Sequence, residues 1–414
     1  MIRDVRKDVA GRLLYHISLV LVFKITKSHY PMKASIQLIF LIFISISPAL
    51  CQTNSTGQKL PAHRQFQIQI NKNVELLGFV YFLGYEGAQA ETEGYSANRK
   101  ARYAYGLDLY RQFKDYEKSR HLAIIIGFAQ DIWLDKLINL LVQLDEFPNA
   151  TLRGGIDAGY YLAFSPKKDT VEARKNATAF IDAMNQLWRE VDFDKYLQKN
   201  RPKYENALAQ VRSGMPDSLF IPTMEKFYQA HLASYILAPS LTIPPGMGFG
   251  INYSEQGQKH AFHVFGAFGI PAFKDSSNLD MGFSDQKHLL ELSTHEFGHS
   301  FVNPVIDQLP AEMITKTEKL FEPIKATMAN QGYTAWKACI YEHFVRAGEI
   351  IISQNRGNTA DTQRLRKHYE EERKFIYLPL ILKELTRYKE SKSVSYNQAV
   401  RAAMHALVRK AVEK

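Results

Sequence analysis

The sequence predicts an α+β protein, predominantly helical, and three observations carry that prediction. Apolar residues recur at helical spacing along most of the chain. Two strand-like runs, 247–253 and 260–268, flank the turn residues Ser254-Glu255-Gln256-Gly257-Gln258 and read as a hairpin. An amphipathic run over 286–302 follows, carrying His295-Glu296-Phe297-Gly298-His299.

The first 51 residues stand apart. They hold seven Lys or Arg and two Asp or Glu, so half of the net charge of +10 lies there. The remaining +5 is spread over more than 360 residues with no basic cluster interleaved with aromatics, which argues against a nucleic-acid partner. Met32-Lys33 begins a short basic segment, 36–46 is an apolar core, and Pro48-Ala49-Leu50-Cys51-Gln52 supplies a cleavage zone. This pattern predicts a secretory signal, Met32 as the true start, residues 1–31 as an over-extended reading frame, and an exported, periplasmic or secreted protein. The run 13–23 is too short to span a bilayer. Bulky Leu50 makes a lipid anchor on Cys51 the weaker expectation, and cleavage after Ala49 or Cys51 the stronger. Once the signal is removed, no integral span is expected, in keeping with a mean hydropathy of −0.26. Cys339 then remains without a disulfide partner and reads as a small buried hydrophobe.

Residues 60–232 read as a helical N-terminal region. The run 74–83 is too short for periodicity to separate strand from buried helix. Helices are expected over 96–119, 121–144, 169–197, 201–211 and 217–231, with 153–164 a loop or strand pair. The second of these carries Ile124, Ile125, Phe128, Ile132, Leu137, Leu140 and Leu141 at near-helical spacing. Phe180, Met184, Leu187 and Trp188 line one face of the third. These stripes read as core. There is no internal repeat, phosphate-binding loop or dinucleotide fingerprint. The second region, 233–414, opens with the hairpin, whose strand edge could bind an extended peptide through main-chain hydrogen bonds. His260 and His263 in it read as solvated or packed strand residues. Further helices are expected over 312–320, 333–354, 362–376, 379–389 and 396–412.

On the 286–302 helix, Ser284 and Asp285 offer an N-cap and an acid for the first turn. Asn303-Pro304 is the expected stop, because a residue before proline avoids the helical region. Leu290, Phe297 and Phe301 form an apolar stripe turned away from His295 and His299. Histidines at i and i+4 share a helix face and can bind one metal ion. Glu296 would then stand beside the ion's open position as a base. That set fits hydrolysis by a zinc-activated water, with Zn2+ as the cofactor.

A third ligand should come from downstream. Val302 and Val305 exclude the extended motif that continues with Gly and His. Glu312, Glu318 and Glu322 are closer in sequence, but Glu318 lies among Lys316 and Lys319, as on a surface. Glu342 shares a small, apolar face with Ala335, Ala338, Cys339 and Val345, where an unpaired carboxylate would be costly. Glu342 is therefore the favoured ligand, with Glu349 in reserve. Arg346 is a rival partner for Glu342 that could instead brace Glu349. His343 points off this face. For the oxyanion, Tyr333, Tyr377, His368 and Arg346 all stay open as donors.

The segments H-E-F-G-H-S-F-V-N-P at 295–304, E-H-F-V-R-A at 342–347 and V-E-L-L at 74–77 resemble the gluzincin branch of zinc metallopeptidases. The chain is most similar to a family of exported bacterial proteins known only as a domain of unknown function, over most of its mature length. The resemblance implies a zincin-like catalytic core, with His295, His299 and Glu342 as zinc ligands and Glu296 as base and acid. It also implies a peptide or protein substrate. Where gluzincins carry an acid four residues after the ligand glutamate, this chain has Arg346. The rival expectation, of another class, is a non-catalytic binding or scaffold protein that retains such a core.

Overall fold

The computed structural model describes residues 65–413 apart from Glu93, Gln256 and Lys392, so the signal segment and Cys51 lie outside the described residues. One mixed sheet organises the fold, in the order β1-β2-β4-β3. Strands β1 (Gln65–Ile68), β2 (Ser234–Pro239) and β4 (Gln258–Phe265) run parallel, and β3 (Gly248–Glu255) is antiparallel to β4 at one edge. The expected hairpin is present. Two further strands join it, and β1 comes from the far N-terminal end of the described chain.

β2 was not expected, and its burial explains why. All of its residues are buried, so it lacks the inside–outside alternation that marks a half-exposed strand. Tyr235 and Leu237 face one apolar core, while Ile236 and Ala238 face another. β4 divides in the same way, with Ala261 and Phe265 on one side and Phe262 and Val264 on the other. Helices therefore cover both faces of the sheet, and the protein is predominantly helical α+β.

On one face lie α1 (Lys72–Tyr81), α2 (Ala97–Arg102), α3 (Ala104–Phe113), α4 (Arg120–Ala129), α5 (Leu134–Leu141), α6 (Thr170–Glu190) and α7 (Phe193–Lys199). The V-E-L-L segment is thus helical, started by the Asn71 side chain accepting from the Val74 N–H. Three long helices expected from periodicity are broken. Tyr103 separates α2 from α3, extended Trp133 follows α4, and Asp192 at φ 50° separates α6 from α7. At Trp133 and Asp192 the period runs through the break because the segments on either side bury into the same core, whereas α2 before Tyr103 buries no residue. Residues 153–164 hold no strand; they form a loop with short 3-10 turns at Ala158–Tyr160 and Leu162–Phe164.

The opposite face is covered by α8 (Arg201–Ser213), α9 (Phe220–Tyr228), α10 (Gln286–Asp307), α11 (Ala311–Thr317), α12 (Trp336–Asn355), α13 (Thr359–Lys367), α14 (Leu378–Glu390) and α15 (Tyr396–Val412). Asp285 caps α10, accepting from the His288 N–H at 2.9 Å. The expected stop at Asn303-Pro304 is corrected, since α10 runs on to Asp307 with Pro304 inside it. An interior proline costs about 3 kcal/mol. Here Val302 and Ile306 are fully buried on either side of Pro304, so core packing outweighs the local cost. Among the described residues no helix is long and apolar enough to cross a membrane.

Candidate metal centre

α10 presents its motif between the sheet and α12. Its buried side runs through Leu289, Phe297 and Phe301, with Leu290 only half-buried. Phe297 meets Tyr235 of β2 edge-on at 5.3 Å, and Phe301 stacks flat on Tyr228 of α9 at 4.7 Å. The same Tyr228 fixes the crossing of α10 and α12. A Cβ on Gly348 would stand 2.2 Å from the Tyr228 hydroxyl, and one on Gly298 would stand 3.2 Å from Val345. Small residues on both helices admit this wedge and bring the faces of His295 and Glu342 together.

His295, His299 and Glu342 form a buried group that can hold a metal ion. The two Nε2 atoms lie 3.3 Å apart. His299 Nε2 is 3.2 Å from Glu342 Oε1, and His295 Nε2 is 3.7 Å from Glu342 Oε2. The far side of each imidazole is already engaged. His295 Nδ1 bonds Glu349 at 2.7 Å, and His299 Nδ1 bonds the Asn303 side-chain oxygen at 3.2 Å. With a proton on each Nδ1, both Nε2 lone pairs face one point.

Charge is arranged around that point. Burial works against ionisation of Glu342, yet His295, His299 and Arg346 hold its carboxyl well below the usual carboxylate range. Burial likewise disfavours a charged His299, but its hydrogen bond to Glu342 and that group's charge push the imidazole up to about 9. Glu349 is also held low against its burial, first by the Arg346 charge. Arg346 meets both acids that the sequence offered as alternatives, lying 3.3 Å from Glu342 and 3.0 Å from Glu349. Tyr369, whose ring faces the guanidinium at 4.9 Å, donates its hydroxyl to Glu349. Sequence reasoning missed Tyr369 and Asn303. Asn303 carried a usable signal, since it stands four residues after His299 on the same helix face.

Glu296 lies on the same turn as His295, and its carboxylate makes no hydrogen bond or ion pair with any described residue. It rests against β3, where a Cβ on Gly250 would come within 2.6 Å of its Oε2 and 2.9 Å of its backbone oxygen. Only a residue without a side chain lets helix and strand approach so closely.

The four oxyanion candidates separate. The Tyr333 hydroxyl donates to Glu342 Oε2 at 3.1 Å and accepts from Arg373 at 3.2 Å, so it adjoins the candidate ligand group as Arg346 does. Tyr377 donates to the Leu320 carbonyl instead, and His368 is paired with Glu372. His343 donates to the Cys339 carbonyl and packs against Phe375, and burial pulls it down to about 4. His260 pairs with Ser234 at 2.8 Å. His263 is fully buried beneath α10, with no hydrogen-bond partner for either ring nitrogen among the described residues, and burial takes it down to about 3. Glu312, Glu318 and Glu322 are exposed and apart from the group.

Residues 66–398 match the family model described as a domain of unknown function, DUF4932. The chain belongs to the DUF4932 family. The match begins in β1 and ends in α15, so the whole candidate metal centre and the sheet beneath it lie within the DUF4932 domain. No curated protein and no solved structure matches the chain.

Proposed function

We propose that this DUF4932 protein is an exported zinc-dependent metallopeptidase with a zincin-like core. The observation that carries the reading is the spacing of the three donors. Ligands bonded to zinc at about 2.1 Å in a tetrahedron stand about 3.4 Å from one another. The separations here are of that order: 3.3 Å between the two nitrogens, 3.2 Å from His299 to one oxygen of Glu342 and 3.7 Å from His295 to its other oxygen. Three protein ligands leave a fourth position open, as a catalytic zinc site requires. Zinc held there would lower the pKa of a water to about 7 and polarise a substrate carbonyl.

The chain's own residues supply the rest. Glu296, whose carboxylate has no hydrogen-bond partner among the described residues, takes the proton of the attacking water and delivers it to the departing amine nitrogen. Glu349 fixes the ring and tautomer of His295. It thereby fills the place of the acid that gluzincins carry four residues after the ligand, here seven residues on. Arg346 and Tyr333 are the donors nearest a developing oxyanion. The edge strand β3 offers main-chain groups to an extended peptide beside Glu296. Export rests on the signal pattern of residues 32–52.

The test is zinc content and hydrolysis of a mixed peptide panel, by the protein and by its Glu296→Gln variant. Both should bind about one zinc per chain. The variant should lose about two to four orders of magnitude in rate. A zinc-loaded parent protein that leaves every peptide and protein intact would refute catalysis and leave the binding or scaffold reading.

A further inference from the structure

The open edge of β3 is not open along its whole length. The Gly266 N–H donates to the Met247 carbonyl, and the register continues from there. In an antiparallel ladder the hydrogen-bonded pairs alternate. Phe249, Ile251 and Tyr253 therefore turn their main-chain groups toward β4, while Gly248, Gly250, Asn252 and Ser254 turn theirs outward. Among the described residues, nothing bonds the outward groups of Gly248 and Gly250. At Asn252 the edge is taken. The Tyr160 hydroxyl, from the 3-10 turn Ala158–Tyr160, donates to the Asn252 carbonyl at 3.3 Å. One side chain thus takes the main-chain carbonyl that the next residue of an added strand would use.

Glu296 marks where along this edge the chemistry lies, since its carboxylate rests against Gly250. A peptide adding to β3 pairs antiparallel, the more stable arrangement per residue. Its amino end then points toward Asn252 and its carboxyl end toward Gly248. One substrate residue faces each strand position, so roughly two residues fit between Glu296 and the Tyr160 cap. Asp157 fixes the turn that carries Tyr160, its side chain accepting from the Gly159 N–H at 2.8 Å.

We infer that the site is closed on its amino-terminal side by Tyr160, and that the protein removes one or two residues at a time from the free amino ends of peptides. This rests on the peptidase reading and adds the substrate class. The reaction is plain hydrolysis. Water's oxygen bonds to the carbonyl carbon, the C–N bond breaks, and the new amine nitrogen takes the proton.

The experiment uses the zinc-loaded protein with one set of decapeptides, offered with free amino ends, with carboxamide ends, and with four residues added at the amino end. Products are read by mass spectrometry. Cuts should fall after the first or second residue, move with the new amino end in the extended set, and ignore the carboxamide. Binding is read separately by calorimetry on zinc-loaded Glu296→Gln. There Tyr160→Ala should strengthen binding of peptides whose amino-terminal residue is acetylated and extended by at least tenfold. In the active protein the same substitution should let internal cuts appear. Internal cuts by the parent at positions independent of the amino end would overturn the inference and leave a peptidase. Acetylated, extended peptides that bind Glu296→Gln as tightly as free ones would overturn it too. If no peptide is cut or bound, both readings fall.

Discussion

The support of His295 by Glu349 can be tested as a free energy. Glu349 Oε1 bonds His295 Nδ1 at 2.7 Å and Arg346 at 3.0 Å, while Oε2 receives the Tyr369 hydroxyl. Glu349→Gln keeps the shape and a carbonyl oxygen for His295 and Arg346. Its amide nitrogen can face Tyr369, whose hydroxyl then accepts. What is lost is the charge that faces His295 Nδ1 and shares Arg346 with Glu342. Losing such an outer carboxylate typically weakens metal binding 10- to 100-fold, or about 1.4–2.7 kcal/mol. Glu342→Gln should do more, at least tenfold beyond that, because it takes the charge from the proposed ligand and leaves Arg346 paired with one carboxylate, Glu349, among the described residues. Zinc affinity is measured by competition with a chromophoric chelator at fixed pH, with thermal unfolding of each metal-free variant in parallel. Parent-like affinity in Glu349→Gln would sink the support argument. A greater loss in Glu349→Gln than in Glu342→Gln would reverse the assignment of the ligand.

Three other substitutions probe the frame around the centre. Gly348→Ala sets a methyl 2.2 Å from the Tyr228 hydroxyl and should cost about 1–3 kcal/mol in urea unfolding. Tyr228→Phe, which removes a buried hydroxyl with no hydrogen-bond partner among the described residues, should be neutral or stabilising, and a clear loss would mean the hydroxyl is satisfied. Gly250→Ala should keep zinc within about threefold while hydrolysis falls at least about tenfold, since the methyl displaces Glu296; equal rates would detach Glu296 from the strand. Glu75, fully buried on α1, is pushed by burial from 4.5 up to about 7. Because the folded value is the higher one, its contribution is complete below about pH 4.5. It is lost as pH rises to about 7, by about 3 kcal/mol in all. Glu75→Gln should flatten that part of the stability curve, and parallel curves for parent and variant would contradict it.

Much of the fold was legible because burial follows helical period, and the hairpin because its turn residues interrupt two apolar runs. What was not legible was non-local. β2 reads as a featureless apolar run because both of its faces are covered. β1 is four residues long, and its pairing with β2 crosses all of the N-terminal helices. The breaks at Trp133 and Asp192 leave the apolar period intact, so no local pattern marks them. Pro304 shows the opposite failure, a strong local signal overruled by the core around Val302 and Ile306.

The metal centre divides along the same line. Helical spacing places His295 with His299, and Glu342 with Arg346 and Glu349, because i, i+4 and i+7 share a face. Spacing on one helix cannot say how it docks on another. Two carboxylates and one guanidinium on α12 could meet the histidines in more than one register, and Glu342 and Glu349 were both eligible ligands. The register is set elsewhere, by Tyr228 wedged against Gly348 and Gly298. Once it is set, His295 divides the roles, since it has two nitrogens and reaches both acids. Its Nδ1 lies 2.7 Å from Glu349, while its Nε2 faces Glu342 and His299. An imidazole that donates through Nδ1 has its lone pair on Nε2, so in the proposed site the acid at Nδ1 would be the support and the acid beside Nε2 the ligand.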